Sequence, residues 1–142
     1  MRKILFRGKQ IYSGEWVEGY YAAEPYTKNT YNYGYILENE KDLFAKKVWL
    51  VDSRTVGQYT GLTDKNGTKI FENDICRYDN GEEFKDKDRF SNYVVQWDSV
   101  NTRYVVVDEW NCEDILDEFF SRHAVVIGNI YDDNLEELAN GR

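Results

Sequence analysis

The chain has 142 residues and a formal net charge of −8, and it contains 12 Tyr, 7 Phe and 4 Trp but a single Pro. This length can bury a sizeable core in one domain or two small ones. The sequence lacks both the apolar core of a signal peptide and the run of ~18 apolar residues that spans a membrane, so we expect a cytoplasmic protein without membrane contact.

Short runs of strand-forming residues are separated along the chain by Gly, Asn, Asp and Ser. Their spacing, roughly 8–12 residues, is typical of all-β sandwiches or barrels. Aromatic and β-branched residues also suit a pleated surface, so the predicted fold class is mainly β. The predicted strands are Ile4–Phe6, Glu15–Ala22, Tyr31–Leu37, Lys47–Val51, Thr55–Tyr59, Asp74–Tyr78, Tyr93–Asp98, Arg103–Asp108 and His123–Tyr131.

One segment departs from the strand pattern. Its apolar residues recur at the spacing of a helix, namely Ile115, Leu116, Phe119 and Phe120. Asn111 is a suitable N-cap, and acidic residues follow it. We therefore predict one short helix over residues 112–121. A further helical turn is expected over Leu135–Ala139, and the charged run 79–92 is expected to be a solvent loop.

Six tyrosines lie between residues 20 and 35, more rings than one face of a strand pair buries. Core packing and cross-strand pairs account for part of this density. Tyrosine also gives a large contact area at a low cost in conformational entropy, which favours a recognition surface. The candidate interaction surface consists of Tyr20, Tyr26, Tyr31, Tyr33 and Tyr35.

Charge is distributed unevenly. Residues 1–60 contain 9 Lys and Arg against 7 Asp and Glu, whereas residues 61–142 contain 9 against 19, so the two segments carry +2 and −10. An acidic segment repels phosphates, which disfavours direct binding to nucleic acid. Two interpretations stay open: the acids form a solvated surface, or they imitate nucleic acid and block a host protein that binds it.

The side chains required by common catalytic chemistry are scarce. His123 is the only histidine, and Cys76 and Cys112 are the only cysteines, which is too few for a zinc site. A catalytic role for His123 would need Ser121 or Cys112 and a third orienting group. No phosphate-binding loop is present. We expect no enzyme activity, catalytic residue, metal or cofactor, and we expect both cysteines to be reduced.

Asn66 and Gly67 lie between two strand-forming runs, which is the strongest short signal of a β-hairpin. A type I′ turn is predicted, with positive φ at both residues, and Asp64 is expected to cap the turn backbone. Asn73 follows at another position that suits the left-handed region. The segment therefore predicts a hairpin that leads into the strand Asp74–Tyr78.

The hairpin motif reads Gln58-Tyr59-Thr60-Gly61-Leu62-Thr63-Asp64-Lys65-Asn66-Gly67, and it is followed by Glu72-Asn73-Asp74-Ile75 and by Ile127-Gly128-Asn129-Ile130-Tyr131. These three segments, in this order, resemble the YopX family of small phage and prophage proteins. The resemblance extends from Ile4 to Leu138. Asn73 stands where the family usually has Gly, and the usual Pro is missing around Asn134-Leu135.

The resemblance implies an SH3-like small barrel over residues 57–142 and an N-terminal β-rich segment over residues 1–56. The barrel core is expected to include Tyr59, Ile75, Val95, Val105 and Ile127. The family implies no reaction. We therefore expect a non-enzymatic phage or prophage accessory protein in the bacterial host cell.

This protein would act by binding another protein or by self-assembly. One alternative is the acidic mimic or inhibitor of a host nucleic-acid-binding protein. A second alternative is a protein that stacks single-stranded nucleic acid on its N-terminal aromatic residues. The third is an enzyme whose chemistry matches none of the common motifs.

Overall fold

The computed structural model describes residues 2–23, 32–38, 47–133 and 137–138. The chain divides into two compact units, Met1–Tyr59 and Thr60–Arg142. The described residues form ten strands, one short α-helix and one turn of 3₁₀ helix, Asp86–Asp88. The fold is therefore mainly β and antiparallel, as the sequence predicts.

Four strands build the first unit. They are β1 (Phe6–Gln10), β2 (Trp16–Ala23), β3 (Tyr33–Leu37) and the part of β4 (Val48–Thr63) that precedes Thr60. Each strand pairs antiparallel with the next, and β1 also pairs with β4, so that the hydrogen bonding closes into a ring. Ile36 and Val51 face the interior and are fully buried.

The predicted strands Lys47–Val51 and Thr55–Tyr59 are wrong as separate elements, because β4 runs through both. The polar residues between them are held inside the strand. The Asp52 carboxylate accepts a hydrogen bond from the Arg54 backbone at 3.0 Å, and the Thr55 hydroxyl donates to the Asp52 carbonyl at 2.6 Å. The pairing of β1 with β4 shifts register here, between Arg7 and Lys9. The residues that indicate a loop therefore form an irregularity within one strand.

The second unit contains the end of β4, which pairs with the short strand β5, and a separate sheet in the order β10-β6-β7-β8-β9. Its elements are β5 (Lys69–Phe71), β6 (Asp74–Asp79), β7 (Phe90–Asp98), β8 (Arg103–Asp108), β9 (Glu113–Ile115), α1 (Glu118–Arg122) and β10 (Ala124–Asn129). This pairing establishes an antiparallel sheet. The SH3-like barrel itself stays a prediction.

One apolar cluster holds the second unit together. Its buried members are Ile70, Cys76, Val95, Val106, Leu116, Phe120 and Ala124. Among the predicted core residues, Ile75, Val95 and Val105 are buried, whereas Tyr59 and Ile127 are half-buried. Burying these apolar side chains is the main favourable contribution to the stability of this unit.

The predicted helix over residues 112–121 is wrong in its first half. Asn111 has φ 63 and lies in a turn, and β9 (Glu113–Ile115) follows it and pairs with β8. The helix begins only after Asp117, whose carboxylate caps it by accepting from the Phe120 backbone at 2.8 Å. This segment pairs with the valine-rich strand β8. That pairing overrides the helix predicted from the spacing of its apolar residues.

The predicted strand Ile4–Phe6 is wrong in its bounds, since it shares only Phe6 with β1. In the expected solvent loop 79–92, Asp79 belongs to β6 and Phe90–Asn92 belong to β7. The expected helical turn Leu135–Ala139 lies mostly outside the described residues, and its two described residues, Glu137 and Leu138, are helical. Within the part of the chain that the structure describes, no helix is long and apolar enough to cross a membrane.

Candidate functional site

Three of the five candidate tyrosines lie on one face of the first unit. Tyr20 is directly opposite Leu37 on the neighbouring strand, and Tyr35 is directly opposite both Ala22 and Leu50. Residues that oppose each other in an antiparallel pair project to the same face. Tyr33, two residues before Tyr35 on β3, shares this face, and all three tyrosines are half-buried. Tyr26 and Tyr31 lie outside the described residues.

Apolar side chains extend this surface, which we call the tyrosine face. The rings of Tyr33 and Tyr35 meet edge to face, with centroids 6.3 Å apart at 79°. Val48 lies directly opposite Leu37 and is 54% exposed. The tyrosine face is therefore an apolar surface on a hydrogen-bonded sheet, and it consists of Tyr20, Tyr33, Tyr35, Leu37, Val48 and Leu50.

Tyr21 belongs to the opposite face of the same strand, because successive side chains of a strand alternate. Its ring lies 6.0 Å from that of Phe6 and covers Gly34, where an added Cβ would be 2.6 Å from a ring atom. Tyr21 therefore packs inside the first unit. Because successive side chains point to opposite faces of a strand, Tyr20 and Tyr21 lie on different faces. This difference can be read directly from the sequence.

Charged side chains of both signs border the tyrosine face. Asp52 lies directly opposite Tyr33 and directly opposite Lys9. The Arg54 guanidinium donates to the Asp52 carboxylate at 2.8 Å. This hydrogen bond lowers the pKa of Asp52 below its usual range, against the opposing effect of burial. The border is therefore mixed rather than uniformly basic.

In the second unit, Asp64 organises the predicted hairpin. Its carboxylate accepts from the backbone N–H of Asn66 and Thr68, each at 2.9 Å, and from Val126 of β10 at 2.9 Å. The side chain is 5% exposed. The sequence predicted the cap but not the bond to β10, because nothing local indicates a partner so distant in sequence. Asp64 is thus a structural residue.

The predicted type I′ turn is wrong, since Gly67 has φ 82 but Asn66 has no positive φ. The Gly67 backbone N–H donates to the Asp64 carbonyl at 3.0 Å, and this bond closes a turn over residues 64–67. One position rather than two therefore requires positive φ.

Asn73 adopts the predicted left-handed conformation, with φ 69. Its side-chain amide donates to the Tyr131 hydroxyl at 3.0 Å, and its carbonyl accepts from the Ile130 backbone at 3.0 Å. These bonds join the segment Glu72–Ile75 to the segment Ile127–Tyr131. Asparagine adopts this conformation more readily than most residues with a side chain, which explains how it replaces glycine here.

A polar cleft of about 440 Å³ lies in the second unit, between the residues 61–65 and the helix α1. Ser121 lines it, but its hydroxyl donates to the Glu118 carbonyl at 3.0 Å. His123 places Nδ1 2.8 Å from the Phe119 carbonyl. Serine and histidine therefore bind backbone atoms here rather than forming a nucleophile–base pair.

Neither cysteine is disulfide-bonded: Cys76 is buried and Cys112 is exposed. The described residues contain no group of three or more His, Cys, Asp or Glu that could hold a metal ion. Ser121, His123, Cys76 and Cys112 therefore have no assigned chemistry, and the lack of enzyme activity stays a prediction.

Many of the aspartates hold turns. Asp79 accepts from the Gly81 backbone at 2.9 Å, Asp98 from Val100 at 3.0 Å, and Asp108 from Trp110 at 2.9 Å. Aspartate at the start of a turn stabilises it in this way. Part of the acidity of the second unit therefore has a structural explanation, which the net charge alone does not reveal.

Comparisons with known proteins identify a similar fold and a matching family. A crystal structure of protein EF1440 from Enterococcus faecalis is similar in fold, with a TM-score of 0.53 and 22% sequence identity over 98% of this chain and 99% of that chain. A search of curated proteins gives no match. The sequence model of the YopX protein family matches residues 5–136, nearly the whole chain. The chain therefore belongs to the YopX family.

Proposed function

We propose that this protein is a non-enzymatic phage or prophage accessory protein that acts by binding another protein, or a second copy of itself, through the tyrosine face. The observation that carries the proposal is the placement of Tyr20, Tyr33 and Tyr35 on one face beside Leu37 and Leu50. Tyrosine is enriched among the residues that dominate binding energy at protein interfaces.

The packing of these rings favours binding. Tyr33 and Tyr35 contact each other and are held on a strand that is hydrogen-bonded on both sides. A partner therefore immobilises few additional rotatable bonds, which lowers the entropic cost of association. The mixed charges at the border suit a protein partner better than the phosphates of a nucleic acid, which require a basic surface.

The acidic-mimic alternative draws on the second unit, but several of its carboxylates are buried or paired. Asp64 is buried, and Asp79 and Asp98 form ion pairs with Arg89 and Arg103. These three carboxylates therefore add little unpaired charge to a surface that would imitate phosphates. The tyrosine face is therefore the better-supported binding surface.

The test compares variants at matched tyrosines. Tyr35→Ser removes a ring from the tyrosine face, Tyr35→Phe keeps the ring, and Tyr12→Ser removes a tyrosine that is 91% exposed in the turn after β1. Each variant is used to capture partners from infected and uninfected host lysate, and its self-association is followed by light scattering. Binding is then measured across salt concentrations.

We expect Tyr35→Ser to weaken association about tenfold or more, at every salt concentration, because lost ring burial is not screened. Tyr35→Phe and Tyr12→Ser should bind like the wild type. A protein that stays monomeric and captures no partner, or a Tyr35→Ser variant with unchanged affinity, would contradict the proposal.

A further inference from the structure

A second exposed surface lies in the second unit, around β9 and α1. It presents two large aromatic side chains to solvent: Trp110 is 74% exposed and Phe119 is 66% exposed. The segment Asp108–Glu118 around them contains six acidic residues and no Lys or Arg. Two of these acids pair with arginines, Glu113 with Arg103 and Glu118 with Arg122. Exposed apolar groups beside the remaining carboxylates are typical of an interaction site.

Aromatic rings connect this surface to the core. Tyr78 and Tyr93 lie 6.3 Å apart at 85°, and the Phe120 ring lies 5.0 Å from the first and 5.3 Å from the second. The His123 ring lies 5.9 Å from Tyr78 and 4.7 Å from the exposed ring of Phe119. The rings thus form a continuous series from the buried cluster to the surface.

The sheet register places carboxylates on the same face as these rings. Asp108 lies directly opposite Tyr93 on the neighbouring strand. Asp114 lies directly opposite Val106, which itself opposes Val95, so it projects to the same face as Tyr93. Asp117 precedes the helix that carries Phe120. Three carboxylates therefore surround one aromatic cluster.

These carboxylates accept hydrogen bonds from backbone N–H groups. Asp108 binds Trp110 and Cys112, Asp114 binds Ile115, and Asp117 binds Phe120. Within the residues that the structure describes, none of the three forms an ion pair.

Their negative charge acts on the rings. Burial is the main cause that raises the pKa of Tyr78, and Asp114 and Asp117 raise it further. Burial is also the main cause that raises the pKa of Tyr93, and Asp108 and Asp114 raise it further. The carboxylates therefore act on the hydroxyl groups of both rings.

We propose that this surface, the aromatic–acidic face, binds the Lys or Arg side chains of a basic segment of a partner protein. It is defined by Tyr78, Tyr93, Phe119, Asp108, Asp114 and Asp117. An organic cation gains from both components, because carboxylates attract its charge and aromatic rings favour contact with a partly dehydrated cation. This inference is independent of the tyrosine face, which lies in the other unit.

Other occupants fit the surface less well. The described residues offer no group that could hold a metal ion, and a nucleic acid would be repelled by the carboxylates. Addition of a strand to the edge strand β9 is also disfavoured, because the Ile115 backbone N–H is already bound by the Asp114 carboxylate at 2.7 Å. Recognition would therefore use side chains rather than main-chain pairing.

The test uses a fluorescein-labelled peptide of alternating Arg and Gly, with an alternating Glu and Gly peptide and a single-stranded oligonucleotide as comparison ligands. The variant Asp114→Asn/Asp117→Asn removes two charges and keeps both hydrogen-bond acceptors, since Asn is also a good N-cap. The control variant Glu82→Gln/Glu83→Gln removes two charges from an exposed part of the same unit. Binding is measured by fluorescence anisotropy at several salt concentrations.

We expect the Arg peptide to bind best and Asp114→Asn/Asp117→Asn to weaken it about tenfold, against less than about twofold for the control variant. Phe119→Ser should weaken binding at high salt as well as at low salt. Equal losses in the two double variants would show attraction by net charge alone and would overturn the proposal. Preference for the oligonucleotide, or no peptide binding at physiological salt, would overturn it too.

Discussion

The two units of this protein use their polar and aromatic residues differently. The first unit carries a charge of +2, buries Ile36 and Val51 completely, and places tyrosines on an outward face. The second carries −10 and buries an apolar cluster around Val95 and Phe120, and aspartates hold its turns. The comparison shows that the tyrosines of the first unit lie on one sheet face, whereas Tyr78 and Tyr93 of the second pack beside its core and its aspartates stabilise turns.

Close backbone approach also distinguishes the units. In the first unit a Cβ added at Gly19 would lie 2.1 Å from the Leu37 carbonyl oxygen. In the second unit a Cβ at Gly61 or Gly67 would contact nothing within 4 Å, and these two residues are needed only for their positive φ. Glycine therefore permits close strand packing at Gly19 and a turn conformation at Gly61 and Gly67.

The largest effect is expected from Asp64→Ala in the second unit. The substitution leaves three N–H groups, those of Asn66, Thr68 and Val126, without their acceptor at a buried position. We expect a loss of about 4 kcal/mol in the free energy of unfolding, since each such bond to a charged group contributes about 1.5–3 kcal/mol and the contributions are not additive. Urea unfolding measures it.

Asp64→Asn is the matched control. Its amide oxygen can still accept from Asn66 and Thr68, but its NH₂ group then meets the Val126 N–H, a donor. We expect an intermediate loss. Equal stability of Asp64→Ala and the wild type would show that the turn does not depend on this carboxylate.

A somewhat smaller effect is expected from Gly19→Ala in the first unit. The new methyl group would meet the Leu37 carbonyl, which is backbone and cannot rotate away. We expect the free energy of unfolding to fall by about 3 kcal/mol, which is at the upper end of the range for overpacking. Hydrogen exchange of the amides of β2 and β3 locates the effect.

Gly8→Ala serves as the comparison, because its Cβ would lie 3.0 Å from Val51 side-chain atoms, which can shift. It should cost less than Gly19→Ala. The reverse order would mean that strand separation in this unit adjusts easily.

Much of the fold can be predicted from the sequence, because the strand signals are local. Alternation and turn residues place β8 at Arg103–Asp108 and identify the strand pair that follows the Gly67 hairpin. The first half of the predicted helix fails because Glu113–Ile115 pairs with β8, a contact that local spacing does not contain. The prediction of two separate strands in place of β4 fails because side-chain hydrogen bonds hold the polar residues between them: Asp52 accepts from the Arg54 backbone, and Thr55 accepts from the Lys9 backbone.

The candidate site could be predicted only in part. Tyrosine density indicated the surface, and the alternation along β2 and β3 could have separated Tyr20 from Tyr21. The aromatic–acidic face could not be found in this way, because Tyr78, Tyr93 and Asp114 lie on three strands whose register only the structure gives. Surfaces built from residues distant in sequence have no local signal.

A smaller effect is expected from Gly67→Val in the hairpin of the second unit. Gly67 has φ 82, a conformation that a β-branched residue adopts only with strain, although the space around its Cβ is open. We expect a loss of about 1–2 kcal/mol, and less for Gly67→Asn, because Asn tolerates positive φ. Thermal unfolding of the two variants measures the difference. Equal melting temperatures for Gly67→Val and the wild type would contradict the role assigned to this residue.

The smallest effect compares one ion pair in each unit. Asp79 pairs with Arg89 in the second unit and both side chains are 28% exposed, whereas Asp52 pairs in the first unit with Arg54, which is 69% exposed. Hydrogen bonds from the arginines lower the pKa of each aspartate. A lowered folded-state pKa adds stability above the unfolded pKa of about 3.8, and this stability is lost as pH falls through the folded-state pKa.

Asp79→Asn and Asp52→Asn keep a turn acceptor and remove the charge, so each should be less stable than the wild type near pH 7 and approach it in acid. The loss in Asp79→Asn should be larger and should persist better in high salt, because the less exposed pair is less screened. Chemical unfolding between pH 2 and pH 7, at low and high salt, measures the loss of stability in each variant. A larger loss in Asp52→Asn would show that exposure does not set the strength of these pairs, and it would remove this difference between the units.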